Sequence, residues 1–176
     1  MATLRCLSTM SHVKYHSKEN YIMASILTME HVQIGFRNFA GNETQFNPEG
    51  NRNFCVFIDD SEYAKSLAAE GWNIRWTKPR NEDDDPRAYL QVKVTYSAFP
   101  PKVVMLTSHA KTPLSEQDLE VLDWSDIEYC DLVIRPYNWS MPGGRSGVSA
   151  YLKTMYAKVE EDAFDLKYAN YGVQDE

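Results

Sequence analysis

Residues 88–96 read AYLQVKVTY and carry the clearest structural signal in the chain. Leu90, Val92 and Val94 alternate with polar or aromatic neighbours, which is the two-residue period of a strand with one buried face. The same alternation recurs on both sides of this stretch, and it predicts that Phe36 faces the core and that Met155 lies on the opposite face of the last strand. Further strands are predicted at 32–38, 52–58, 72–78, 102–107, 131–139 and 147–159.

One helix is predicted between the early strands, over 62–70, because Asp60 or Ser61 can cap its start and Gly71 can end it. A second, short helix is predicted at 116–122. Six or seven short strands with one or two short helices and long loops predict a mainly β, antiparallel barrel or sandwich. A partly open barrel with a helix between early strands is one such arrangement, and the strand count does not separate it from other small barrels.

The composition limits the classes of protein to consider. The chain has 176 residues, of which 43% are hydrophobic and 12% aromatic, so one globular domain with an ordered core is expected. Eighteen basic against 25 acidic residues give a net charge of −7, which excludes a generic polybasic binder. The three widely spaced cysteines predict a reducing compartment rather than a disulfide framework. No apolar run approaches the length of a membrane span.

The charge is unevenly distributed along the chain. We expect a flexible N-terminal extension at 1–28, a barrel domain at 29–159 and an acidic C-terminal tail at 160–176. The tail carries six acidic residues and one basic residue, whereas residues 30–159 carry 18 acidic and 14 basic residues. A near-neutral body with an acidic end is compatible with a local basic groove, and also with a solubilising tail on an ordinary domain.

The strand faces opposite the predicted core combine flat rings with cations. The rings are Phe39, Tyr89, Tyr137, Trp139 and Tyr151, and the cations are Arg37, Lys93, Arg135, Lys153 and, on a Gly-rich hairpin loop, Arg145. Nucleic-acid bases stack on aromatic rings with about 1–3 kcal/mol per base, and cations that contact phosphates release counterions. The pattern therefore predicts binding of single-stranded DNA that tolerates any sequence.

Other placements of these rings are open at this point. Aromatic residues in strands more often pack in the core or across strands than against ligands. Pro136 lies inside a predicted strand, where a bulge would turn Tyr137 and Trp139 into the core. Trp72 and Trp76 share one strand face and are expected in the core. The competing hypothesis is a structural or assembly protein whose aromatic face forms a protein–protein interface.

No catalytic residue, metal ligand or cofactor is predicted. The chain lacks the Gly-x-x-x-x-Gly-Lys-Ser/Thr loop of P-loop NTPases. A metal-dependent nuclease would need the consecutive carboxylates Asp83, Asp84 and Asp85 to hold Mg²⁺. Three consecutive side chains of a regular strand do not all point at one ion, so a solvated acidic turn is the better interpretation.

Three segments resemble parts of bacteriophage single-stranded DNA-binding proteins: FRNFAG at 36–41, NRNFCV at 51–56 and AYLKTMY at 150–156. The resemblance covers roughly residues 29–176. It implies an oligonucleotide-binding (OB) fold and a role in phage DNA replication or recombination in the cytoplasm of the bacterial host. Single-stranded DNA is the implied partner, no membrane is involved, and a homodimer is left open.

The resemblance also implies a role for the acidic tail. In such proteins the tail recruits replication and recombination enzymes and competes with DNA for the groove. Carried over to this chain, that role falls on Glu160, Glu161, Asp162 and Asp165. The chain departs from the family pattern in two ways. It lacks a terminal Phe, which bears on recruitment by the tail, and its body is not basic, so modest affinity or a narrow groove is expected.

Overall fold

The computed structural model describes residues 24–79 and 85–168, with side chains for all of these except 165, 166 and 168. Most of the predicted N-terminal extension, Asp83 and Asp84 of the acidic turn and the last eight residues lie outside the described residues.

One sheet dominates the described part of the chain. In chain order the elements are β1 (Leu27–Val32), β2 (Ile34–Asn38), β3 (Arg52–Ile58), α1 (Ser61–Ala69), β4 (Ile74–Trp76), β5 (Ala88–Val94), β6 (Lys102–Leu106), β7 (Lys111–Leu114), α2 (Val121–Trp124), β8 (Ile127–Ser140), β9 (Ser146–Val159) and α3 (Ala163–Tyr168).

The strand order in the sheet is β1-β8-β9-β5-β3-β2, with β4 paired to β5, β6 to β9 and β7 to β6. The pairs β5–β9 and β6–β9 are parallel, and the other pairs are antiparallel. The sheet curls so that β1 contacts β3 and β2 contacts β8, although no ladder joins β1 to β2 among the described residues. The mainly β, barrel-like fold class is therefore confirmed.

The central strands follow the alternation of the sequence. Phe54, Val56, Leu90 and Val92 are almost fully buried, and β3 pairs with β5 residue for residue. Burying one face of each strand removes apolar surface from water and fixes this register, because a slip of one residue would expose the whole apolar set. The odd-numbered residues of β3 and β5 consequently occupy the opposite face, called the outer face below.

The first helix confirms the capping prediction. The Asp60 carboxylate accepts hydrogen bonds from the backbone N–H groups of Glu62 and Tyr63, and the helix ends before Gly71. The second helix lies later than predicted, at Val121–Trp124, where Leu122 is buried. The strands β1 and β7 have no counterpart in the sequence prediction, and β1 begins with Leu27 in the core.

A bulge in β2 overturns the predicted faces of the first strand region. Phe36 has a positive φ of 48°, and the β2–β3 register shifts between Gly35 and Asn38. One inserted residue exchanges the two faces of a strand. Phe36, expected in the core, is therefore 64% exposed, and Phe39, expected on the outer face, is fully buried.

A second irregularity lies in β9. Its register with β8 shifts between the pairs Val133–Thr154 and Ile134–Leu152, which leaves Lys153 as the extra residue. Beyond this point the alternation is reversed, so that Met155, expected opposite the core, is fully buried. Lys153 itself is exposed.

The β8 strand remains in register through Pro136. Tyr137 pairs with Ser149 and Trp139 pairs with Gly147, without a shift around the proline. The two rings consequently stay on the face opposite the buried Ile134. Tyr137 is 59% exposed, so the bulge that would have turned it into the core does not form.

Candidate nucleic-acid interface

Three strands bring one ring and two cations into a row on the outer face. Lys93 of β5 pairs with Tyr151 of β9, and Tyr151 pairs with Arg135 of β8. The Lys93 Nζ atom lies 5.7 Å from the centroid of the Tyr151 ring, within the range of a cation–π interaction. Lys93 is exposed, and the other two are half-buried. The row therefore presents one flat ring between two positive side chains.

Two adjoining clefts meet at this row, and together we call them the trough. One has a volume of about 690 Å³ and the other about 400 Å³. Gln91, Lys93 and Tyr151 line both clefts, so the two are continuous. The smaller cleft also contains Tyr137 and Trp139. Four of the ten residues predicted to contact DNA thus line one concave surface.

The rings of the smaller cleft are held by neighbouring residues. The Tyr137 and Tyr151 rings meet edge to face, with centroids 6.0 Å apart and an angle of 80°. The Trp139 indole lies across Gly147, its partner on β9, where an added Cβ would come within 2.8 Å of the ring. The absence of a side chain at Gly147 therefore gives the indole its position.

Arg135 gains a second ring that the sequence prediction missed. Its guanidinium carbon lies 4.5 Å from the centroid of Phe99, in the loop between β5 and β6. The Phe99 side chain is 65% exposed. The sequence feature that could have indicated Phe99 is its position as an apolar ring within a Pro-rich loop. Through Arg135, the Phe99 ring adds another flat surface beside the row of Lys93, Tyr151 and Arg135.

The trough is locally basic although the chain is acidic. Its described lining includes the cations Arg52, Arg75 and Lys93 and one carboxylate, Glu116. Glu116 is neutralised by Arg52, since their side chains form an ion pair at 2.8 Å. The remaining positive charge suits a phosphate backbone. The sequence pattern of rings and cations did not predict that Arg52 and Arg75 contribute to this charge.

Two polar atoms in the larger cleft lack hydrogen-bond partners among the described residues. These are the Tyr96 hydroxyl and the Arg52 Nε, both buried. Burial raises the pKa of the Tyr96 hydroxyl, and Glu116 raises it further while Arg52 opposes this. The hydroxyl therefore stays protonated and can donate to an acceptor that enters the cleft.

A sequence profile for the family described as "Putative phage ssDNA-binding domain" matches residues 11–176. The chain belongs to this family. The comparison with curated proteins gives no match. The family assignment confirms the resemblance drawn from the three short segments.

Solved structures of phage single-stranded DNA-binding proteins share the fold. The C-terminally truncated protein of bacteriophage Enc34 matches with a TM-score of 0.52 and 10% identity, over 78% of this chain and 87% of that chain. The Enc34 protein in complex with ssDNA matches with a TM-score of 0.51 and 11% identity, over 79% and 89% of the two chains. At these identities the likeness establishes the fold and leaves the contacts to be argued from this chain.

Two predicted contact residues of this ssDNA-binding domain have structural positions instead. Phe39 is fully buried and stacks on Phe54, with ring centroids 5.2 Å apart. The Asp123 carboxylate accepts a hydrogen bond from the backbone N–H of Phe39 and fixes Phe39 in this position. Arg37 donates to the carbonyls of Leu122 and Ser125, at 2.9 and 2.7 Å, and so secures the end of α2. The β2 bulge is the reason why both leave the outer face.

The other predicted residues do not line the trough. Tyr89 is half-buried on the outer face of β5 and packs against Phe36. Lys153 is exposed at the β9 bulge, and Arg145 is exposed in the turn that joins β8 to β9. The trough residues that the sequence prediction missed come from loops, from the interior strands β3 and β5 and from β4. They include Phe46, Arg52, Asn53, Arg75, Gln91 and Tyr96.

The start of the acidic tail is attached to the barrel. The Glu161 carboxylate accepts from the Ser108 hydroxyl and backbone N–H, at 2.6 and 2.5 Å, and from the Lys158 ammonium, at 2.9 Å. These contacts, led by the Ser108 hydroxyl, lower the pKa of Glu161 from 4.5 to about 2. Glu161 is therefore not a freely extended tail residue. Glu160 and Asp162 are exposed, and the Asp165 side chain lies outside the described residues.

The described residues contain no cluster of histidine, cysteine or acidic side chains that could hold a metal ion. Burial raises the pKa of Cys55 to about 11 and that of Cys130 to about 12, which leaves both as unreactive thiols at neutral pH. Within 24–79 and 85–168, no helix is long and apolar enough to cross a membrane.

Proposed function

We propose that this phage ssDNA-binding domain holds a single strand in the trough, without regard to base sequence and without catalysis. Bases stack on Tyr137, Trp139 and Tyr151, and Lys93 and Arg135 contact the phosphates. The observation that carries the proposal is the row in which Tyr151 lies between Lys93 and Arg135 on the outer face. The Enc34 protein, which shares the fold, is known in complex with ssDNA.

The chemistry of the trough explains why the binding tolerates any sequence. Every base has a π-face, and each base stacked on an aromatic ring contributes about 1–3 kcal/mol. The cations Arg75, Lys93 and Arg135 attract phosphates, which are the same for every nucleotide. Each neutralised phosphate releases counterions and makes the negative slope of log K against log salt steeper by about 0.7 on a single strand.

The biological role follows from this binding mode. A protein that coats single strands stoichiometrically serves DNA replication or recombination, in this case in the cytoplasm of a phage-infected bacterium. The exposed acidic residues Glu160 and Asp162, with Asp165, remain the proposed contacts for replication or recombination enzymes. A homodimer is left open, since β1 and β2, the two ends of the strand order, each pair with one strand only among the described residues.

Titration with oligo-dT tests the proposal. Trp139 lies in the smaller cleft, so we expect tryptophan fluorescence to be quenched at low salt and the quenching to weaken steeply as salt is added. Trp139→Phe should keep most of the affinity and lose much of the quenching. Trp124→Phe is the matched control, since Trp124 is 79% exposed on α2, away from the trough.

Lys93→Ala gives a second readout. This variant should reduce the salt slope by about 0.7, because one phosphate contact is lost. Absence of any DNA-induced change in wild-type fluorescence or anisotropy at low salt would overturn the proposal. A salt-insensitive association with protein partners would then favour the phage assembly role for the aromatic face.

A further inference from the structure

A second group of rings lies beyond the trough. Phe36, Phe57, Trp76 and Tyr89 line a separate cleft of about 700 Å³, and we call them the distal ring cluster. The Phe36 centroid is 5.9 Å from Phe57 and 6.1 Å from Tyr89. Phe36 is 64% exposed and Trp76 44%, although the sequence assigned both to the core. Contiguous exposed apolar surface on a globular protein marks a binding site more often than scattered apolar residues do.

The backbone departs from regular strand geometry to expose these rings. Phe36 has a φ of 48°, in the left-handed region that residues with side chains rarely adopt. Beside it, Gly35 leaves room for the Phe57 ring, since an added Cβ would come within 2.6 Å of that ring. Strain at a residue with an exposed side chain supports a functional rather than a packing role.

The distal ring cluster continues the outer face of the trough. Tyr89, Gln91 and Lys93 point to the same side of β5, and the last two line the trough. Tyr89 and Lys93 are four residues apart, about 13 Å along a strand. Arg75, which also lines the trough, pairs with Tyr89 across β4 and β5. A polymer that leaves the trough at Gln91 therefore meets Tyr89 next.

The charges of the distal cleft differ from those of the trough. The Arg87 guanidinium carbon lies 4.3 Å from the Phe57 centroid, and Arg87 pairs with Asp59 at 2.8 Å. Lys78 and Asp85 also line the cleft, one of each sign. With Arg87 neutralised by Asp59, the charges of the described lining residues balance, and flat rings in such surroundings favour stacking of bases and add little attraction for phosphates.

We propose that the distal ring cluster is a stacking extension of the DNA path, which binds nucleotides that emerge from the trough. The inference rests on the proposed function, because the same single strand occupies both surfaces. OB folds cover about 4–16 nucleotides, so short oligonucleotides fill the trough alone and long ones reach the cluster. The extension increases affinity with strand length while the salt slope stays nearly constant.

Binding of dT oligonucleotides of about 6 and about 16 nucleotides tests this inference by fluorescence anisotropy. The double variant Phe36→Ala, Trp76→Ala should bind the long oligonucleotide more weakly than wild type. Each stacked base that is lost should weaken the affinity roughly five- to hundredfold. Its affinity for the short oligonucleotide and its salt slope should match wild type. Trp124→Ala, which removes an exposed ring elsewhere, should change neither affinity.

A separate variant controls for folding. Phe36→Asn places at this position a residue that tolerates positive φ, so its melting temperature should not fall below that of wild type. It should nevertheless lose the extra affinity for the long oligonucleotide. If Phe36→Asn has a lower melting temperature but keeps the extra affinity for the long oligonucleotide, Phe36 has a structural role and the inference is overturned.

The remaining outcomes separate this inference from the proposed function. Tyr151→Ala should weaken binding of both oligonucleotides, and if it changes neither, the trough proposal fails. If Tyr151→Ala weakens both and the double variant binds the long oligonucleotide as wild type does, only the extension is overturned. Equal weakening of both lengths by the double variant would also contradict the extension.

Discussion

Phe39 and Tyr137 show how the same residue class reaches opposite environments. Strand alternation assigned both rings to the outer face, yet Phe39 is fully buried and Tyr137 is 59% exposed. The difference arises from the backbone, because β2 contains a bulge before Phe39 whereas β8 keeps its register at Tyr137. At the residue scale, stability and binding should therefore be separable.

Paired alanine variants test this separation. Phe39→Ala removes a core ring and should lower the free energy of unfolding by about 3–5 kcal/mol. Tyr137→Ala should change it by less than about 0.5 kcal/mol, because the side chain is mostly exposed, and should weaken DNA binding instead. Chemical denaturation and oligo-dT titration measure the two effects. If the loss of DNA binding in Tyr137→Ala is fully explained by a loss of folded protein, the expected separation of stability from binding would be wrong.

Gly147 allows a test of ring position without removing the ring. Gly147→Ala adds a Cβ that would lie 2.8 Å from the Trp139 indole, so the ring must move. We expect weaker DNA binding and an altered tryptophan emission maximum, both measurable by fluorescence. Ser146→Ala, an exposed position on the same strand that pairs with Ser140 and lines neither cleft, is the control. An unchanged emission maximum in Gly147→Ala would show that the indole does not depend on this glycine.

The long β8–β9 hairpin organises the molecule at the element scale. It places Tyr137, Trp139 and Tyr151 towards its turn and the Glu161 contacts beyond its other end. The acidic tail therefore starts at a fixed place, held by Ser108 in the β6–β7 hairpin and by Lys158 of β9. The attachment is electrostatic and should depend on pH.

The pH dependence of unfolding tests the Glu161 attachment. Because folding lowers the pKa of Glu161 from 4.5 to about 2, its stabilising effect is complete above pH 4.5 and is lost as pH falls through about 2. Over this window the stability of wild type should fall more steeply than that of Glu161→Gln. Denaturation curves at several pH values compare the two slopes. Parallel curves would show that Glu161 has the same pKa in the folded and unfolded states.

The whole molecule combines a net charge of −7 with a locally basic trough. The charges that matter for DNA lie within a Debye length, about 8 Å at physiological salt, so distant acids weaken binding only moderately. Under the tail-competition hypothesis, the acids of the tail act when the chain brings them near the trough. Their influence should therefore be largest at low salt.

Truncation after residue 162 tests the tail at this scale. It keeps Glu161 and its contacts with Ser108 and Lys158, and it removes Asp165, Asp175 and Glu176. We expect tighter binding of oligo-dT at low salt and little change at high salt. Glu161→Gln in the full chain serves as the control for altered attachment. Equal affinities of truncated and full chains at low salt would show that residues 163–176 do not compete with DNA, and deletion of 160–176 then tests the remaining acids.

The sequence by itself determined the β class and the capped helix, and its alternation predicted an outward position for Tyr137, Trp139, Tyr151 and Lys93, which the unbroken register at Pro136 then allowed. These features depend on local alternation and capping, which neighbouring residues encode directly. Only the tertiary structure decided that Phe39 and Met155 are buried and that Phe36 and Trp76 are exposed. Bulges and sheet edges decide these positions, and a two-residue period contains no information about either. The trough likewise depends on strand pairing between segments that are distant in the sequence. Buried area and register together select this pairing, and no local sequence pattern encodes it.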